Sequence, residues 1–155
     1  MLDYAEIILR LATATCAGAA IGLNRDLHDK RMGLRTLGLV GLGSAMAVMA
    51  MVDISADAAS RVVQGILTGI GFIGAGVIVH GPKPFHVHGL TTAACTWVTA
   101  TLGILCGFGE WPVIAVSVPL IFLLLIFGGA VERWFHSLRP HDTAQQSDHN
   151  SGSGI

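Results

Sequence analysis

Charged side chains are scarce in this chain. Lys, Arg, Asp and Glu make up 12% of the 155 residues against 52% hydrophobic, and the mean hydropathy is +0.66. Those values exclude an ordinary water-soluble domain and point to an integral membrane protein. Cysteine is sparse as well. Cys16, Cys95 and Cys106 all lie inside apolar runs with no CxxC spacing, which argues against a disulfide framework or a zinc site and reads them as small buried hydrophobes. A basic leader is missing too: Asp3 and Glu6 open the first apolar stretch, so that stretch is expected to be a mature span and not a cleaved signal. No Ser-His-Asp, HExxH or P-loop pattern occurs in a usable context. GIGFIGAG has a superficially dinucleotide-like glycine spacing, but it lies in an apolar run with no strand before it. No enzymatic activity, no cofactor and no metal site is therefore expected. Because the charges fall between apolar blocks and form no basic face, nucleic acid is not an expected partner.

Five blocks meet or nearly meet the roughly twenty residues that a helix needs to cross hydrocarbon: about 4–23, 34–52, 62–79, 90–108 and 113–131. The expected fold is an all-α, polytopic bundle of five transmembrane helices. Its connectors are short: 24–33 is highly charged, 53–61 acidic and small, 81–89 holds two prolines, and 109–112 is a tight turn. A membrane domain over 1–134 is expected, followed by a polar, disordered cytoplasmic tail over 135–155 that has too few apolar residues to fold alone. Arg25, Lys30, Arg31, Arg35, Lys83, Arg133 and Arg139 share one side, opposite Asp3, Asp53, Asp57 and Glu110, where Arg61 is the only strong base apart from Arg10 within the first span. The positive-inside rule then places the N-terminus outside and the C-terminus inside. Gly33-Leu34-Arg35-Thr36 and Gly89-Leu90-Thr91-Thr92 open the second and fourth helices alike, an echo that would fit two parallel hairpin repeats.

The run RVVQGILTGIGFIGAG, Arg61 to Gly76, combines lipid-compatible hydropathy with five glycines. Glycine lets helix backbones approach in lipid, so Gly65, Gly69, Gly71, Gly74 and Gly76 are read as a packing face. Glu6 and Arg10 are four apart and share a helix face. They form either an interfacial ion pair or, with Asp53, Arg61 and Gln64, the lining of an outward pocket. At the other rim, Asn24-Arg25-Asp26 ends one helix and Arg35-Thr36 opens the next. Helix starts at Gly33 and Gly89 beside Arg25 and Arg35 would suit an anion or a carboxylate; simple positive-inside anchoring, with Thr36, Thr91 or Thr92 as caps, is the alternative. Asp26 is a further candidate to pair with Arg25 or Arg35. His80, His86 and His88 crowd the third connector, where loop residues near headgroups are preferred over a metal site. Thr92, Thr96 and Thr99 fall on one face of the fourth helix, near Trp97, and are expected to form a packing seam against the third, with part of a pathway wall as the alternative.

The blocks IGLNRD, GLRT, LVGLGSA, RVVQGILTGIGFIGAGVIV and HGLTTAACTWVTATLG closely resemble the signature blocks of the MgtC/SapB family, in order, over roughly residues 7 to 131. The resemblance implies a multi-pass protein of the bacterial inner membrane linked to magnesium limitation, acid stress and survival inside macrophages. It also implies inhibitory contact with the F-type ATP synthase. Gly33, Arg35, Thr36, Arg61, Gln64, Gly65, Gly71, Gly74, Gly76, Gly89, Thr91 and Thr92 match the family's blocks. Two departures stand out: Asn24 and Asp26 occupy a block that commonly carries glutamates, as in GLERE, and no ACT-like C-terminal domain is expected. The leading expectation is a modulator of other membrane proteins, with homo-oligomerisation open. A small ion or solute transporter with a polar path between helices is the alternative.

Overall fold

The computed structural model describes residues 3–30, 32–80 and 87–137. Five helices follow one another: α1 Tyr4–Asp26, α2 Leu34–Val52, α3 Ala56–Val77, α4 Leu90–Phe108 and α5 Trp111–Ser137. Each contains a stretch long and apolar enough to cross a membrane. The chain divides into two compact units, Met1–Leu120 and Ile121–Ile155, with the boundary just after Pro119 of α5. Among its described residues the second unit is helix to Ser137, and Leu124 and Phe127 there are exposed. The expected tail lies outside the described residues from 138 onward.

Two helices begin and end where hydropathy puts them, and α3 does not. It starts six residues before the expected 62, because Ser55 caps it: the Ser55 side chain accepts from the Ala58 N–H, and Asp57 sits favourably in the first turn. Hydropathy marks where lipid begins; the cap marks where the helix begins. A second addition is a two-residue antiparallel ladder before α4, pairing Val79 with His88 and His80 with Val87. It is too short to show any alternation in sequence. His86 lies outside the described residues, as do the side chains of His80 and His88.

In the first unit α4 is the central helix. It packs against α1, α2 and α3 and contributes Cys95, Thr96, Thr99, Ala100, Leu102 and Cys106 to the buried set. What brings the helices together is close backbone approach. A Cβ at Gly18 of α1 would lie 2.5 Å from the Leu37 carbonyl oxygen of α2, and one at Gly103 of α4 would run into the Gly41 carbonyl of α2 and lie 2.8 Å from Ser44 Cβ. A small cluster of Ala14, Ala45, Cys106 and Ile114 closes one end, flanked by Leu11, Leu105, Trp111 and Val118. Large apolar side chains such as Ile8, Leu39, Met46, Phe72 and Val116 point outward, as a bundle solvated by lipid requires.

The glycine face expected on α3 is not where this packing occurs. Added Cβ atoms at Gly65, Gly69, Gly71 and Gly76 would meet nothing within 4 Å, whereas Gly74 alone of the five approaches a neighbour, 3.5 Å from Ala93 Cβ of α4. Glycine spacing reveals that a face is flat; it does not say which way the face points. Cys16 is likewise exposed, not buried with Cys95 and Cys106.

Arg10 ties the bundle at the end where α4 finishes. Its Nε donates to Glu6 at 2.8 Å and its Nη1 to the Gly107 carbonyl at 2.8 Å, so the guanidinium satisfies a helix-end carbonyl and sits at the favoured pole of α4's dipole. Gly109, at φ 80, turns the chain there, and its Hα side faces the Arg10 guanidinium.

Two stability measurements in detergent check this account. Gly103→Ala should lower stability by about 1–3 kcal/mol through overpacking, while Gly65→Ala should be neutral or stabilise by up to about 1 kcal/mol through helix propensity; equal effects would remove close approach at Gly103 as the organising contact. Arg10→Met should cost about 1–3 kcal/mol by leaving Gly107 and Glu6 unpartnered, and adding Glu6→Met should recover part of that loss, which a double-mutant cycle reads directly.

Candidate functional site

The rim formed by the end of α1 and the starts of α2 and α4 concentrates the polar groups. Arg25 lies in the last turn of α1, is 6% exposed, and donates from Nη2 to Thr92 Oγ1 at 2.7 Å. Its Nε is buried with no partner among the described residues. One turn further along α4, the Thr96 hydroxyl contacts Met32 Sδ at 3.2 Å and donates to the Thr92 carbonyl. Met32 and Asp29, in the α1–α2 connector, hold positive φ of 64° and 49°.

Asp26 has a different task from its neighbour. Its Oδ2 accepts from the Leu34 N–H at 2.9 Å, and its carboxylate fills the space beside Gly33 that a side chain there would occupy. It therefore neutralises the start of α2 from the end of α1. The expected pairing of Asp26 with Arg25 or Arg35 is not made among the described residues, because the nearer amide takes the carboxylate. Arg35, Thr36 and Thr91 are exposed, so of the rim candidates only Arg25 and Thr92 are brought together in the interior.

The opposite rim contains no gathered pocket of the expected residues. Glu6 and Arg10 form the ion pair, but Arg61 pairs at 3.0 Å with Asp57 of its own helix and both are about three-quarters exposed. Asp53 and Gln64 are exposed too. The ion-pair reading of Glu6 and Arg10 is the one formed, and the alternative, an outward pocket they would share with Asp53, Arg61 and Gln64, is not gathered among the described residues.

Thr92, Thr96 and Thr99 are 3%, 0% and 0% exposed, but their seam faces α1 and α2, not α3. Thr92 meets Arg25, Thr96 meets Met32, and Thr99 Cγ2 lies beside Gly18 and Gly41. Thr96 and Thr99 also donate to their own helix, to the carbonyls of Thr92 and Cys95 at 2.9 and 2.8 Å. A threonine that back-bonds in this way offers only acceptor lone pairs to anything else. Sequence spacing finds the threonine face; the Arg25–Thr92 contact joins residues 67 apart, and no local signal marks it.

Comparison with known proteins finds a family and several relatives. The MgtC family model matches residues 11–134. Protein SrpB of Synechococcus elongatus is 40% identical over 140 residues, covering 82% of this chain and 76% of that protein. Protein MgtC of Salmonella typhimurium is 36% identical over 127 residues, covering 81% and 54%. YhiD of Escherichia coli K12, by its name a candidate magnesium transporter, is 39% identical over 134 residues, covering 79% and 61%. The chain thus spans little more than half the length of MgtC and YhiD. No solved structure matches. With a family model covering most of the residues and five span-capable helices, this chain is a multi-pass membrane protein that belongs to the MgtC family.

Proposed function

We propose that this chain is a non-catalytic modulator in the bacterial inner membrane, serving magnesium homeostasis by contact with other membrane proteins. The observation that carries the reading is the closed interior between α1, α2 and α4. Backbones meet at Gly18, Gly41 and Gly103, and the buried Thr96 and Thr99 hydroxyls donate to their own helix. Among the described residues no charged side chain of α1, α2 or α4 lies between the level of Arg10 and that of Arg25. A magnesium path needs carboxylates or several free oxygen ligands, and this interior supplies neither. The groove between Thr15 and Ala19 of α1 and Leu34, Arg35, Gly38, Leu39 and Leu42 of α2, about 340 Å³, is lined mainly by apolar groups, with Arg35 its one charged side chain.

The distribution of Lys and Arg supports an orientation with the N-terminus outside and the Arg25 rim inside. The outward faces of α3 and α5, the two helices with the smallest buried share, offer surfaces for partners. F-type ATP synthase is the partner that the family resemblance suggests. A transport reading, in which several copies share a path, is favoured by one observation: Gln64 is exposed on a membrane-spanning helix, where a polar amide is costly in lipid.

Reconstitution separates the two. Purified protein in liposomes loaded with a magnesium indicator should give no flux above empty liposomes, and crosslinking in native membranes should capture another membrane protein through α3 or α5. Magnesium flux that Gln64→Leu abolishes would replace the modulator by the transporter.

A further inference from the structure

Helix α1 brings an arginine to each end of α4, and the two meet opposite poles of its dipole. Arg10 sits at the C-terminal pole, where a cation is favoured; Arg25 sits at the N-terminal pole, where a cation is disfavoured. The first i to i−4 bond of α4 is from Ala93 N–H to the Gly89 carbonyl, so the amides of Leu90, Thr91 and Thr92 precede the ladder and add partial positive charge. Arg25 is nine-tenths buried beside Thr92, and among the described residues its side chain makes one hydrogen bond, to a neutral hydroxyl, and leaves its Nε unpartnered. A buried guanidinium without a counter-charge is strongly disfavoured.

The start of α2 shows how the same problem is solved in-house, since Asp26 places a carboxylate on the Leu34 amide. For α4 no described carboxylate does so. The ion pairs among the described residues, Glu6–Arg10 and Asp57–Arg61, lie at the opposite end of the bundle.

We propose that Arg25 and the first turn of α4 bind a phosphate oxyanion. A phosphate has oxygens for both the guanidinium fork and the helix amides. Arg25 is in the last turn of α1 and Thr92 in the first turn of α4, so both lie at the level of the lipid headgroups. The phosphate belongs either to a phospholipid or to a free phosphate compound. Burial means that the anion enters by displacing a side chain, and Met32, flexible and touching the Thr96 hydroxyl one turn along, is a neighbour able to move aside.

The test is thermal unfolding of the purified full chain in uncharged detergent, titrated with inorganic phosphate, with short-chain phosphatidylglycerol, or with sodium chloride at matched ionic strength. A saturable rise in Tm with either phosphate-bearing probe, and none with chloride, is expected; the probe that acts identifies the source. Arg25→Gln should weaken that binding about tenfold or more while unfolding no lower than the native protein without probe, whereas a purely structural arginine would lose stability without any probe. Arg35→Gln, exposed at the same rim, should keep the full response. If Arg25→Gln does not fold, Thr92→Val retains the guanidinium but removes its tether, and its affinity should fall several-fold. No saturable shift with either probe, an equal loss in Arg35→Gln, or unchanged affinity in Thr92→Val overturns the proposal.

Discussion

Everything in the first unit depends on how closely the backbones of α1, α2 and α4 approach. Lipid gives helices no hydrophobic reason to associate, so contact must come from packing and from hydrogen bonds. Gly18, Gly41 and Gly103 permit that contact, and in doing so they leave no room for solvated polar groups. The consequences spread outward: buried threonines turn their hydroxyls back on α4, and charged groups are confined to the two ends.

The two arginines of α1 convert this packing into a fixed register. Arg10 reaches Gly107 and Arg25 reaches Thr92, and Arg10 is as far from Arg25 along α1 as Thr92 is from Gly107 along the antiparallel α4. Sliding α1 by one turn, about 5.4 Å, would unseat both contacts together. The ends are nevertheless unlike electrostatically. One guanidinium completes a helix C-terminus and a carboxylate pair; the other shares a helix N-terminus with a hydroxyl alone.

The elements themselves were legible, because hydropathy and a preceding glycine mark α2 and α4 at Gly33 and Gly89. The direction of each face was not. Gly65 and Gly69 carry the small-residue spacing that signals helix contact, yet they line an open face, while Gly18, Gly41 and Gly103, without so conspicuous a run, make the contacts. The candidate rim was legible as a set of charges near two helix starts. Which charge served which start depended on tertiary distances: Asp26 turned to Leu34 while Arg25 crossed to Thr92. Ser55 shows a third kind of miss, where a capping hydroxyl extends α3 through residues that hydropathy assigns to a connector.

That extension has a consequence for the surrounding membrane. Helices α2 and α4 each have 19 residues, about 28 Å along their axes, whereas α3 has 22, about 33 Å. A bilayer core near 30 Å matches the shorter pair when upright, so α3 accommodates its extra turn by tilting or by lifting Asp57 and Arg61 clear of the hydrocarbon. Among α2, α3 and α4, a membrane of the wrong thickness would therefore act first on α3.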